Sequence, residues 1–253
     1  QFPALSGGLE NIIVETYYIS DVNDSTDTDG GHLAPGSVTY RIYVDMLPGY
    51  ELQAVYATYT HPLYIATTTG FFNNQSYGQA SGNLINNTKL NKNTVALDSW
   101  ITIGGASKFH MGVLKGIDLN GSIIGGNNND GGSGSIPGGL LIDTTAGIPL
   151  TVADGMYPVA SVPQLTNINI DLSSFDGDNS ASSFSIEDGL WAVLNGVQGS
   201  TPENQVLIAQ ITTTGQLTFE LNLQLRSPDG KGEFYVATNP VGNEIFFPAL
   251  TRH

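Results

Sequence analysis

The chain has 253 residues, no cysteine and a formal net charge of -15, which arises from 23 acidic and 8 basic side chains. With so few cations it cannot neutralise many phosphates, so nucleic acid and anionic lipid are poor partners. The sequence contains no run of about eighteen apolar residues, so we expect no membrane insertion.

The composition also indicates where the protein works. Only 12% of the residues are charged, whereas roughly 25% is usual in soluble domains. Solubility therefore rests on Ser, Thr, Asn and Gly, which is typical of proteins that face the extracellular medium. The sequence begins Gln1-Phe2-Pro3 without Met, which we interpret as a mature end left by signal-peptide removal. We expect a secreted, extracellular or cell-surface protein.

Apolar and polar residues alternate at period two through much of the chain, and this pattern predicts strands. The clearest case is 37–46, where Ile42 and Val44 lie on one face and Arg41 and Tyr43 on the other. In chain order, strands are predicted at 8–20, 37–46, 51–58, 63–69, 100–103, 140–143, 165–172, 190–194, 206–212, 216–225 and 233–237.

Turn residues suggest how these strands connect. Leu47-Pro48-Gly49 predicts a hairpin between 37–46 and 51–58, and Thr214-Gly215 predicts one between 206–211 and 217–223. No window of about eleven residues has a helical period. We therefore predict an all-β fold, an antiparallel β-sandwich of jelly-roll type or two packed sandwiches. Residues 1–253 are expected to form one domain, with an internal division at the Gly- and Asn-rich segment 125–139 as the alternative.

An acidic segment at 21–29 is the strongest candidate for a metal site. Ca²⁺ prefers six to eight oxygen ligands on a flexible loop, and alternating Asp side chains with backbone carbonyls supply them. Without a cation these carboxylates would repel one another. The predicted calcium ligands are Asp21, Asn23, Asp24, Asp27 and Asp29, with a solvated acidic loop as the alternative.

Two weaker polar clusters are expected to be solvated loops. One is formed by Asp171, Asp176, Asp178 and Asn179, and the other by residues 127–130.

No catalytic motif stands out. The sequence has no HExxH, no GxSxG, no phosphate-binding loop and no dinucleotide fingerprint after a strand. Its four His residues are scattered, and cysteine nucleophiles are absent. Glu15 and Glu220 lie on predicted strands, where we expect solvent-facing carboxylates, with a glycosidase-type pair as the alternative. We predict that the protein is not an enzyme and that no residue is catalytic.

Tyrosines crowd the first quarter of the chain. Period-two strands should turn about half of them outward, where they would offer rigid contact area for a glycan or another subunit. Filling of the core is the alternative. The residues are Tyr17, Tyr18, Tyr40, Tyr43, Tyr50, Tyr56, Tyr59 and Tyr64.

The segment GSVTYRIYVDMLPGYELQAVYA at 36–57 resembles an uncharacterised β-rich domain of secreted and cell-surface bacterial proteins. Shorter similar stretches lie at 65–72, 97–100, 147–155, 206–225 and 236–244. The resemblance implies an exported β-rich module that acts as a surface or matrix component. It implies no catalytic residue.

Together these features predict a non-enzymatic extracellular structural or adhesive protein that assembles with itself into a filament or surface layer stabilised by calcium. Few Lys residues oppose pairing at strand edges, and segments 1–8 and 246–253 are candidates for strand addition to a neighbouring copy. The alternative is a secreted carbohydrate-binding module that contacts extracellular glycans. A carbohydrate-active β-sandwich enzyme is a third class.

The calcium site gives the first testable prediction. A bound ion at hundredfold excess over its Kd stabilises the native state by about 2.7 kcal/mol, so chelation should lower the melting temperature of metal-loaded protein. Replacing both Asp27 and Asp29 with Ala should abolish that difference, which calorimetry with and without chelator would measure. An unchanged melting temperature after chelation of protein known to be calcium-loaded would contradict the prediction.

Overall fold

The architecture is all-β, as predicted. The structure is a computed structural model and describes residues 7–20, 30–90, 93–119, 154–177 and 181–253. These residues form strands and short 3-10 helices, with no α-helix among them. Within the described ranges, no helix has the length and apolar character needed to cross a membrane.

The strands vary from two to eleven residues in length. In chain order they are β1 Leu9–Ile19, β2 Val38–Met46, β3 Glu51–Ala57, β4 Leu63–Thr67, β5 Trp100–Ile101, β6 Gly105–Ser107, β7 His110–Gly112, β8 Met156–Pro158, β9 Thr166–Ile168, β10 Ser183–Ile186, β11 Gly189–Val197, β12 Gln205–Thr213, β13 Leu217–Glu220, β14 Leu223–Arg226, β15 Gly232–Val236, β16 Ile245–Phe246 and β17 Thr251–Arg252. The 3-10 helices are Gly82–Leu84, Asn87–Lys89, Asn93–Leu97, Lys115–Ile117, Ser173–Phe175 and Pro248–Leu250.

The central sheet has the order β1-β2-β12-β5 and is antiparallel. Its two middle strands are buried on both faces, and eight of the nine residues of β12 are inaccessible to solvent. Strands buried on both faces carry near-continuous apolar runs, which explains the sequence VLIAQI in β12.

A second layer is formed by two sheets that continue one another across a bend. The six-stranded sheet has the order β16-β15-β14-β3-β11-β9, and the four-stranded sheet has the order β10-β4-β13-β17. Three pairs of consecutive strands connect the two sheets: β3 with β4, β10 with β11, and β13 with β14. The order β14-β3-β11 in one sheet matches the order β13-β4-β10 in the other. All pairings in the two sheets are antiparallel except β15 with β16.

Two hydrophobic cores lie on opposite faces of the central sheet. The first separates it from the bent layer and includes Ile42, Val44, Ile208, Trp191 and Phe219. The second contains Tyr43 and Leu207 from the central sheet. It is covered by residues from 72–114 and by Met156 of the small sheet β6-β7-β8. The fold is therefore a β-sandwich with a third, largely irregular layer on one side.

Both predicted hairpins are wrong. Strand β2 pairs with β1 and β12, whereas β3 pairs with β11 and β14. Likewise β12 lies in the central sheet and β13 in the bent layer. In both places the chain turns from one packed sheet to the other. Turn residues fix a reversal of the chain, but they do not determine whether the next strand pairs with the previous one or packs across from it.

The eight tyrosines divide about evenly between the interior and the surface, as alternation predicts. Tyr17, Tyr18, Tyr43 and Tyr56 are buried, Tyr59 is exposed, and the other three are partly exposed. The third layer covers one face of the central sheet, so Tyr17, Tyr18 and Tyr43 fill the second core.

Two further predictions concern parts of the chain that the structure does not describe. The predicted strand at 140–143 and the Gly-rich segment 125–139 lie outside the described residues. Strands from before and after that segment pair in the same sheets, such as β2 with β12 and β4 with β13. The predicted strand at 216–225 is two strands, β13 and β14, because the chain bends between them.

Candidate functional site

The predicted calcium ligands cannot be placed. Asp21, Asn23, Asp24, Asp27 and Asp29 all lie outside the described residues, so the site stays a prediction. Within the described part of the chain, no group of three or more His, Asp or Glu residues is arranged to hold a metal ion.

The second acidic cluster is partly described. Asp171 is exposed and its Oδ1 accepts the backbone N–H of Ser173 at 2.9 Å, a local contact that lowers the pKa of its carboxyl group. Asp176 is exposed as well, and Asp178 and Asn179 lie outside the described residues.

The two glutamates considered as a glycosidase pair are separated in the fold. Glu15 lies on β1 of the central sheet, and Glu220 lies on β13 of the bent layer. Each has its own partner, because the backbone N–H of Lys115 donates to Glu15 Oε1 and Thr238 Oγ1 donates to Glu220 Oε1. Glu15 is also mostly buried and not the solvent-facing carboxylate that was expected.

Glu15 belongs to a buried charged centre built around Arg41. The guanidinium lies over the ring of Tyr17, with Cζ 3.5 Å from the ring centroid. Its Nε donates to Gln210 Oε1 at 2.9 Å, and Nη1 donates to the carbonyl oxygen of Gly155 at 3.1 Å. Glu15 is the cross-strand partner of Arg41. Burial raises the pKa of Glu15, and the positive charge of Arg41 partly offsets that effect.

A pair of carboxyl groups lies beside this centre. Burial and the neighbouring Asp118 raise the pKa of Asp154 to about 7, although the N–H of Met156 and the charge of Arg41 act in the opposite direction. Asp118 Oδ2 accepts the N–H of Gly155 at 2.9 Å. Arg41, Asp118 and Asp154 each have protein partners beneath the third layer, whereas only Oε1 of Glu15 has one and its buried Oε2 has none among the described residues. We therefore assign the Arg41 centre a structural role, because removing one partner of a buried charge is costly.

The carboxyl group of Asp154 makes stability depend on pH. Its pKa is higher in the folded state than in the unfolded state, so folding favours the protonated form. The unfolded chain ionises first as pH rises, and folded stability falls between about pH 4 and pH 7. Asp154→Asn stays neutral and keeps an oxygen for the N–H of Met156. Relative to the wild type, its free energy of unfolding should rise between pH 4.5 and pH 8, by about 3 kcal/mol.

Urea denaturation at the two pH values would measure this change. Tyr17, Arg41 and Asp118 face the same carboxyl group and remain in the variant. Asp171→Asn is the control, because the lowered pKa of that exposed residue produces no change above pH 4.5. An equal difference between Asp154→Asn and wild type at both pH values would contradict the assignment.

A groove of about 480 Å³ lies on the bent layer. It forms where β3 and β11 reach the bend, and we call it the bend groove. Its lining includes the apolar residues Tyr56, Ile168, Leu190, Phe234 and Val241 and the polar residues Thr58, Asn169, Asp188, Gln224, Asn243 and Glu244.

Local backbone geometry gives the groove its shape. Asn222 lies at the bend and donates its side-chain amide to the carbonyl oxygens of Tyr56 and His61, at 3.2 and 2.9 Å. On the opposite wall, β9 approaches Gly189 so closely that a Cβ there would lie 2.7 Å from the carbonyl oxygens of Ile168 and Asn169. Glycine is therefore required at that position for the wall to close.

Two polar groups in the groove point to a ligand. Tyr56 is 9% exposed, and its hydroxyl oxygen has no hydrogen-bond partner among the described residues. Burial and the charge of Glu244 raise its pKa to about 12, so the hydroxyl remains a donor. The known contacts of Glu244 fall on Oε2, which accepts the N–H of Val241 at 2.8 Å and lies 2.9 Å from His61 Nε2. Its Oε1 has no hydrogen bond within the described ranges and is available to a ligand.

The side-chain amide of Gln224 offers a further acceptor. Its Nε2 donates to Gln53 Oε1 at 3.0 Å, and its own Oε1 can accept a hydrogen bond from a ligand. The ring of Phe234 meets that of Tyr56 edge to face, with centroids 6.1 Å apart. The groove thus combines an aromatic wall with one fixed donor and several acceptors.

Sequence reasoning missed most of this site. In the sequence Tyr56 is one of many tyrosines, and no pattern marks Glu244, Asp188 or Phe234. No motif connects them, because they come from separate strands and loops that meet only at the bend.

Comparison with known proteins adds no functional assignment. No protein-family model, no curated protein and no solved structure matches this chain.

Proposed function

We propose that this protein is a non-enzymatic, extracellular carbohydrate-binding module whose bend groove holds a neutral oligosaccharide. The observation that supports this most directly is the buried hydroxyl of Tyr56, which has no hydrogen-bond partner among the described residues and belongs to a residue of the groove lining. A buried hydroxyl without a partner costs about 1–3 kcal/mol, and a ligand hydroxyl that accepts its hydrogen bond would recover that cost.

The chemistry of the lining favours a sugar. A pyranose ring has apolar C–H faces and a rim of hydroxyl groups, so it needs aromatic contact and several hydrogen-bond acceptors. Phe234 supplies the first, and Glu244 Oε1, Gln224 Oε1 and Asp188 supply the second. Among the described residues, no Lys, Arg or His lines the groove. The absence of positive charge from the lining disfavours an anionic sugar, and we therefore propose a neutral one.

Export and the similarity to secreted β-rich bacterial domains belong to the same proposal. They rest on the cysteine-free, charge-poor composition and on the stretches at 36–57 and 206–225. A module that binds glycan outside the cell would act in adhesion or in anchoring to a matrix.

Tyr56→Phe tests the proposal because it should lower the affinity for the sugar without lowering the stability of the protein. Removing an unpartnered buried hydroxyl should leave the melting temperature unchanged or slightly higher. Affinity for the sugar should fall by about three- to tenfold, which is the value of one hydrogen bond. Titration calorimetry with cellohexaose, maltohexaose, xylohexaose and mannohexaose would identify the binding sugar and measure the loss.

The matched control is Tyr59→Phe, which changes an exposed tyrosine outside the groove lining. It should bind as the wild type does. If none of the four oligosaccharides binds at millimolar concentration, or if Tyr56→Phe binds as tightly as wild type, the bend groove is not the sugar site.

Self-assembly is the second candidate, and the edges of the six-stranded sheet favour it. Strand β9 forms one edge and β16 the other. Each presents an apolar side chain that is half exposed, Ile168 at 49% and Phe246 at 50%. Because the two edges differ, pairing β16 of one copy with β9 of the next would be head-to-tail, which produces open filaments. Both edge strands are very short, which limits such pairing.

Phe246→Lys should therefore lower any association without unfolding the protein, because Lys on an edge strand opposes pairing. Phe109→Lys is the control, since Phe109 is similarly exposed, at 46%, and lies outside the six-stranded sheet. Sedimentation over a range of concentrations, with and without calcium, would measure the change. Wild-type protein that stays monomeric at high concentration under both conditions rules out assembly.

A further inference from the structure

A second groove carries the opposite electrostatic character. It has a volume of about 320 Å³ and lies in the third layer, away from the bend. Its polar lining is Ser76, Tyr77, Gln79, Asn86, Lys89 and Lys108, and no carboxylate lines it. We call it the lysine groove. Its size is that of a small-ligand pocket.

The lysines are notable because cations are so scarce. The chain has 8 Lys and Arg residues against 23 acidic ones, so two cations in one groove are a quarter of the total. Most of the other described cations have carboxylate or carbonyl partners. Arg226 pairs with Glu51, Lys231 pairs with Asp229, and Lys115 donates to the carbonyl oxygen of Tyr17.

Lys89 and Lys108 differ from these. Within the described ranges, neither forms an ion pair with a carboxylate. The Lys89 ammonium lies 4.5 Å from the centroid of the Tyr77 ring, a cation–π contact that holds the charge in the groove without neutralising it. The backbone N–H of Lys108 donates to the carbonyl oxygen of Ile85 at 3.0 Å, and both lysines line the groove.

The amide groups of the groove add further donors. Asn86 Oδ1 accepts both the N–H and the hydroxyl of Thr88 at 3.0 Å. Its oxygen is therefore engaged, and its NH₂ group remains available to a ligand. Two ammonium groups and an amide NH₂ thus line one groove that has no carboxylate, an arrangement that favours an oxyanion.

We propose that the lysine groove is a second ligand site, selective for a carboxylated or sulfated sugar. Lys89 and Lys108 bind the oxyanion, and the hydroxyl of Ser76 and the amides of Gln79 and Asn86 bind the sugar ring hydroxyls. This site is independent of the bend groove, which is lined by the carboxylates of Asp188 and Glu244 and, among the described residues, by no lysine. The protein would then contact an acidic glycan through one face and a neutral glycan through another.

Calorimetric titration with trigalacturonic acid, at low and at high NaCl, tests the site. We expect binding that weakens as salt rises, because the lysine contacts are exposed and screened. Lys89→Gln and Lys108→Gln should each weaken it by about two- to fivefold, the range for a solvent-exposed ion pair, and the double variant should weaken it by about tenfold. Lys89→Arg keeps the charge and should retain binding.

Lys231→Gln is the matched control, because Lys231 is an exposed lysine that pairs with Asp229 outside the groove. It should bind trigalacturonic acid as the wild type does, and so should Tyr56→Phe. Circular dichroism would confirm that all variants keep their β spectrum. Maltotriose, which has the ring but no charge, should bind at least tenfold more weakly.

Three results would overturn the proposal. The first is the absence of trigalacturonic acid binding at millimolar concentration, and the second is unchanged binding by the double variant. The third is sodium sulfate binding as tightly as trigalacturonic acid, which would show that the groove binds free oxyanions without recognising a sugar.

Discussion

The bend in the outer layer depends on one buried amide. Asn222 donates to the carbonyl oxygens of Tyr56 and His61, accepts the N–H of Ala237 and receives the N–H of Tyr56 at its own carbonyl. A buried amide satisfied on all sides ties together three strands that would otherwise continue straight. Tyr56 of β3, Leu190 of β11 and Phe234 of β15 line the groove at this bend. The groove is therefore a consequence of sheet geometry, and these three side chains sit on rigid elements.

The central sheet poses a different physical problem, since both of its faces are covered. Polar side chains on β2 and β12 must then find partners inside the protein. Arg41 binds Gln210, and Gln210 in turn donates to the carbonyl oxygens of Ala96 and Asp98 at 3.0 and 2.7 Å. This chain of hydrogen bonds joins the sheet to the irregular third layer. The layer has few strands of its own, so side-chain contacts of this kind take the place of a regular backbone ladder.

The sequence predicts the features that depend on neighbouring residues, and it does not predict those that depend on contacts between residues far apart in the chain. Alternation in 37–46 and the apolar run in 206–212 identify the strands correctly, because both patterns are local properties of the chain. They do not reveal that Arg41 is buried, since that depends on a third layer contributed by residues far away in sequence. The two hairpins fail for the same reason, as partners across a sandwich are chosen by packing. The bend groove joins Tyr56, Asp188 and Glu244, and no local pattern could associate them.

The charge of the protein sets the conditions under which its two grooves can act. A net charge of -15 repels an approaching anion, but that repulsion is screened beyond about 8 Å at physiological ionic strength. The lysines therefore act at contact distance and contribute little to long-range attraction. Adding salt removes the distant repulsion first and weakens the contact pairs later, because the contacts are closer than the screening length.

Association with an acidic glycan should consequently become faster at moderate salt while the bound complex becomes weaker, and a neutral glycan in the bend groove should show neither effect. Stopped-flow measurements of the association rate across a salt series, with dissociation followed separately, would resolve the two effects, and an association rate that only falls with salt would contradict this account.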